Sequence, residues 1–100
     1  MSRYQVFVTP AAWKEIKNLP GRIRRRVRKA IDGFADDPRP PKSQALDVRS
    51  LACEARRLRL DRWRVVYVIV EEAVDVLAVR KRPPYDYGDL ETLLSDYPSG

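Results

Sequence analysis

An α+β fold is predicted by three features of the chain. A short strand precedes two amphipathic helical stretches, the periodicity changes from helical to alternating at about Ala55, and two tight turns divide the alternating region into a meander. The expected architecture is an N-terminal strand, a helical hairpin, an antiparallel β-meander forming a small sheet packed on the helices, and a short C-terminal helix. One hundred residues suit a single domain over positions 1–100 with one modest core.

Tyr4, Val6 and Val8 alternate with Gln5 and Phe7, which reads as a strand. Thr9 is a good N-cap and Pro10 a good first helical residue, with Ala12, Trp13, Ile16 and Leu19 along one face until Pro20 and Gly21 stop the helix. From about Arg22 to Ala35, Ile23, Val27, Ala30, Ile31 and Phe34 form one stripe at the 3.6 period. DDPRPPKSQ, residues 36–44, cannot continue a helix and reads as a connecting loop. Strands are expected at roughly 55–60, 63–70 and 74–81, separated by Asp61-Arg62 and by a turn near 71–73. Leu90, Leu93 and Leu94 suggest the final short helix.

Composition narrows the chemistry. Twenty Lys and Arg against fourteen Asp and Glu leave +6, which favours an anionic partner. Cys53 is the single cysteine and histidine is absent, so neither a disulfide nor a Cys/His metal or nucleophile pair is expected, and no cofactor is implied. No apolar run approaches a membrane span, and a cytoplasmic protein is the default expectation. Any acid or base chemistry would fall to Tyr, Asp, Glu, Lys or Arg.

The segment RRLRLDRWRVVY, residues 56–67, carries five arginines. With Asp61-Arg62 as a two-residue turn, Leu60 faces Trp63, Arg59 faces Arg64 and Leu58 faces Val65. Leu58, Leu60, Trp63 and Val65 then pack on the helices, while Arg57, Arg59 and Arg64 share the other face with Val66 and Val68. Arg59 directly opposite Arg64 is unfavourable by up to about 1 kcal/mol. A solvated outer face is one explanation; a preorganised anion site, in which guanidinium groups grip a phosphodiester, is the other. RKRPPYDY, residues 80–87, adds Arg80, Lys81 and Arg82 with Tyr85 and Tyr87, and nearby positive charge would favour a phenolate usable as a base. RIRRRVRK, residues 22–29, offers Arg24, Arg25 and Arg28 either as a solvated helix face or as a docking surface for nucleic-acid backbone.

The strand, the helical hairpin ending near LP and DDPRP, RLRLDRWRVVYVI and VDVLAVRKR together resemble the RelE/ParE superfamily of bacterial toxins over about residues 4–90. The resemblance implies a sheet packed on a helical hairpin and a cognate antitoxin protein as partner. RelE-like members are ribosome-dependent endoribonucleases cutting mRNA in the A site; ParE-like members poison DNA gyrase. In the first class, residues resembling Arg57, Arg59, Arg64, Arg82 and Tyr87 or Tyr85 carry the reaction without metal; on their charge, Arg24, Arg25, Arg28, Arg59, Arg80 and Lys81 are expected to hold RNA or ribosomal RNA. The chain departs from the pattern in lacking the lysines usual on the meander, with Arg57 the nearest substitute, and the spacing from Arg82 leaves Tyr85 and Tyr87 as alternatives.

Overall fold

The computed structural model describes residues 3–46 and 54–81, and its described elements run β1 (Gln5–Val8), α1 (Pro10–Lys17), α2 (Gly21–Gly33), β2 (Ser43–Ala45), β3 (Glu54–Leu60), β4 (Trp63–Val70) and β5 (Ala73–Lys81). The chain turns from β1 into α1 because Thr9 is extended at φ −64° and ψ 155°, and its hydroxyl accepts from the Ala12 N–H. Pro10 occupies the first helical position, where its missing N–H costs nothing. The same Thr9 hydroxyl donates to the Val76 carbonyl at 2.9 Å, so one side chain caps a helix and ties it to the sheet.

The sheet order is β1-β5-β4-β3-β2. The meander β3-β4-β5 is antiparallel as expected, β2 joins it antiparallel, and β1 runs parallel to β5, which makes the sheet mixed. Parallel pairing of the first and last described strands needs a long crossover, and α1 and α2 begin it. Its register sets Val6 beside Val74 and Val8 beside Val76.

Both helices cover one face. Ala12, Ile16, Leu19, Val27, Ile31 and Phe34 meet Leu58, Val65, Tyr67, Ile69, Val74, Val76 and Val79 in one core, with Ile23, Ala30, Leu60 and Trp63 packed partly buried against it. Phe34 stacks on Tyr67 with ring centroids 4.1 Å apart. Trp13 departs from the expected inward face: it is 39% exposed and lies beside the cationic ends of Lys17 and Arg28 at 5.9 and 5.8 Å. Its ring finds cations near the solvent side of the helices.

Two differences from the sequence reading matter for the site. Ser43 and Gln44 lie in β2, a three-residue edge strand, where a loop was expected. Such a strand is too short to show an alternation. Leu77 is an extra residue in β5, since Val66 pairs with Ala78 while Tyr67 pairs with Val76. This bulge reverses the parity of the strand and turns Arg80 to the face of Arg64. The expected C-terminal helix, with Leu90, Leu93 and Leu94, lies outside the described residues.

Candidate nucleic-acid interface

The β3–β4 hairpin sets the site. Asp61 adopts φ 55°, a left-handed conformation that Asp tolerates better than most residues, and it closes the two-residue turn with Arg62. The register is the one the turn dictates: Leu60 opposite Trp63, Arg59 opposite Arg64, Leu58 opposite Val65 and Arg57 opposite Val66. Leu58 and Val65 enter the core with the helices, whereas Val66 and Val68 are buried away from that cluster on the face they share with the arginines. A ladder of Arg59, Arg64 and Arg80 therefore crosses three adjacent strands.

At the hairpin tip and the β2 edge a cavity of about 750 Å³ is lined by Arg26, Pro41, Lys42, Ser43, Gln44, Arg57, Arg59, Asp61 and Arg64. Among the described lining residues five side chains are cationic, and Asp61 is the one carboxylate. Arg26 bonds to that carboxylate. The bond holds Asp61 below the usual carboxylate range, with Arg22 and Lys42 adding attraction. Neither Arg57, Arg59 nor Arg64 pairs with a carboxylate of the described residues. Arg57 donates through one terminal nitrogen to Gln44 Oε1 at 2.8 Å. Arg64 is 6% exposed, donates from one nitrogen to the carbonyls of Asp61 and Trp63, both at 3.0 Å, and lines the cavity. Guanidinium donors with no carboxylate partner among the described residues have the charge and geometry to hold an anion such as phosphate.

A second set of contacts holds the connector that completes the cavity. Tyr67 donates its hydroxyl to the Pro38 carbonyl at 2.7 Å. Burial pushes the Tyr67 phenol above its ordinary pKa. Ser43 caps the Pro40 carbonyl through its N–H and its hydroxyl, and Arg56 donates to the same hydroxyl at 2.9 and 3.2 Å. Arg56 also bonds to Glu54, which Arg39 clasps through two nitrogens, and the Arg39 bond in particular lowers the Glu54 pKa.

The other sequence candidates lie elsewhere. Arg80 stands beside Arg64 in the ladder, but its Nε contacts Glu15 at 3.3 Å, the carboxylate that also accepts from the Val79 N–H where β1 has ended. Lys81 pairs with Trp63 and so belongs to the helix side. Arg24 donates to the Leu19 carbonyl, Arg28 lies beside Trp13, Arg25 is exposed, and none of the three lines the cavity. Arg82, Tyr85 and Tyr87 lie outside the described residues. Sequence reasoning missed Arg26, Lys42 and Gln44. Arg26 had a signal, because its spacing of three from Ile23 and four to Ala30 sets it at the margin of the apolar stripe, where a side chain meets the sheet.

The fold of strand, two helices and mixed sheet with this cationic hairpin is that of a toxin of the RelE/ParE superfamily. The family model describing the ParE toxin of the type II toxin-antitoxin system parDE matches residues 6–83, and the chain belongs to that family. Among solved structures, the RelBE2 toxin-antitoxin complex of Mycobacterium tuberculosis is 24% identical with a TM-score of 0.67, covering 80% of this chain and 99% of that one. The intact RelBE complex of E. coli is 24% identical with a TM-score of 0.62, over 80% and 98%. The RelB-RelE complex of Methanococcus jannaschii is 14% identical with a TM-score of 0.59, over 92% and 99%. At these identities the likeness is one of fold. No curated protein matches the chain in sequence. No helix of the described residues is long and apolar enough to cross a membrane.

Proposed function

We propose that this toxin is a ribosome-dependent endoribonuclease and that the cavity at the hairpin tip is where it holds mRNA. The observation that carries the reading is the convergence of Arg57, Arg59 and Arg64 on one cavity, none of them paired with a carboxylate of the described residues. In the proposed reaction the ribose 2′-OH attacks the adjacent phosphorus, leaving a 2′,3′-cyclic phosphate and a 5′-OH. Arg57 and Arg64 stabilise the charge that develops on the phosphate oxygens. Tyr87 or Tyr85 is assigned as the base and Arg82 as the donor to the leaving oxygen, on the resemblance to RelE-like toxins. The ribosome, through ribosomal RNA, supplies the alignment that an open site lacks. A cognate antitoxin, acidic and unfolded in part, would mask the cations; the similar RelBE2 and RelBE structures are complexes of toxin with antitoxin.

The test is cleavage of mRNA on programmed ribosomes. Arg57→Gln and Arg64→Gln should each lower the cleavage rate by about 10² to 10³, with the fold checked by circular dichroism. Undiminished cleavage by both variants would remove the mechanism. A second reading, inhibition of DNA gyrase, is favoured by the match to the ParE family model. It requires block of supercoiling by the purified toxin with ribosome-bound mRNA left intact.

A further inference from the structure

The guanidinium wall is one side of the cavity; the other is the connector and β2. Pro40 and Pro41 stiffen the approach, the Ser43 N–H bonds to the Pro40 carbonyl at 2.9 Å, and the Arg59 N–H bonds to the Lys42 carbonyl at 3.3 Å. Lys42 is thereby fixed alongside Arg59, one strand spacing out from it. Its charge reaches Asp61 at the hairpin turn, whose carboxyl it helps hold ionised. No carboxylate of the described residues pairs with Lys42. Gln44 is oriented by Arg57, which takes its Oε1, so the Gln44 amide N–H groups remain as donors.

We infer that Lys42 and Gln44 bind the phosphate next to the one gripped by Arg57, Arg59 and Arg64, so that the site takes a single-stranded RNA segment rather than a lone phosphate. The proposal rests on the reading of the cavity as the place where RNA is held, and not on the cleavage step. Two features support the pairing of walls. The backbones carrying Lys42 and Arg64 are two strand spacings apart, about 10 Å, which is more than one phosphate spans. The volume of about 750 Å³ is that of a pocket for a nucleotide-sized ligand, far beyond a single anion.

The test uses the full chain with two probes, a non-cleavable 2′-O-methyl RNA tetranucleotide and inorganic phosphate, each titrated across salt concentrations. Each phosphate contact to a single strand adds roughly 0.7 to the salt slope, so Lys42→Gln should lower the tetranucleotide slope by about 0.7 and weaken binding about fivefold near 0.1 M salt. Lys42→Arg should restore both, and Lys14→Gln on α1 should change neither. Binding of inorganic phosphate should be unaltered by Lys42→Gln and weakened by Arg59→Gln. The proposal is overturned if Lys42→Gln keeps the wild-type slope, if it weakens inorganic phosphate as much as RNA, or if the wild type binds no tetranucleotide. Cleavage on ribosomes separates the two ideas: slopes that shift as expected in a protein that cuts no mRNA overturn the nuclease reading alone. Cleavage abolished by Arg64→Gln beside an unchanged Lys42→Gln slope overturns this one alone.

Discussion

Removing the hydroxyl of Tyr67 tests whether the connector carrying Lys42 and Gln44 is held by the core. Tyr67 is 0% exposed, its ring stacks on Phe34, and its hydroxyl is the donor to the Pro38 carbonyl at 2.7 Å. Tyr67→Phe keeps the ring, the stacking and nearly all the volume, so no cavity term arises. It deprives a buried carbonyl of its donor, which costs about 1 to 3 kcal/mol. For a chain of this size each kcal/mol lowers the Tm by about 4 to 8 °C. Thermal and urea unfolding should both report the loss, with an unchanged urea m value because the exposed surface is the same.

The phenol also gives a pH signature. Burial raises its pKa above that of an unfolded tyrosine, near 10. The protonated form is therefore favoured by folding: the contribution is complete below about pH 10 and is lost as pH rises through the folded value. Wild-type stability should fall in the alkaline range more steeply than that of Tyr67→Phe, and the two curves should converge. A variant as stable as wild type, with the same alkaline slope, would refute the argument that this hydroxyl anchors the connector.

The same geometry sets two further outcomes. Thr9→Ala removes the α1 cap and the bond to the Val76 carbonyl, and should cost about 0.5 to 2 kcal/mol in urea unfolding, whereas Thr9→Ser should retain most of it. Glu54, whose pKa is lowered chiefly by Arg39, stabilises the fold above the ordinary carboxylate range and loses that contribution as pH falls through its folded value. Its side chain is a third exposed, so Glu54→Gln should cost about 1 kcal/mol or less at neutral pH and flatten the acid limb of the stability curve.

Much of the fold was legible because its signals are local. Thr9-Pro10, the stripe from Ile23 to Phe34, and Asp61-Arg62 each specify their element within a few residues, and the turn alone determines the hairpin register. The features that eluded sequence are set by partners distant in the chain. β2 exists because β3 offers it an edge, β1 is parallel because the crossover brings it to β5, and the Leu77 bulge appears only when β5 is laid against β4. The cavity divides in the same way. Its arginines on β3 and β4 share a face by parity, whereas Lys42 and Gln44 reach them through a three-residue strand with no periodic signature.

The ladder of Arg59, Arg64 and Arg80 is a local rule broken within an otherwise consistent design. Like charges directly opposite on adjacent strands cost roughly 0.2 to 1 kcal/mol per pair. Arg80 is relieved by Glu15 and Arg64 by two backbone carbonyls, but Arg59 has no carboxylate partner among the described residues and is exposed. Threonine suits an exposed strand position and removes the repulsion. If the ladder serves anion binding, Arg59→Thr should raise the midpoint of urea unfolding while lowering RNA affinity and its salt slope, the opposition expected where function is held at the expense of stability. A variant that gains stability and binds RNA as before would make Arg59 an ordinary solvated side chain, and one that loses stability would show that the repulsion between Arg59 and Arg64 is already screened by water.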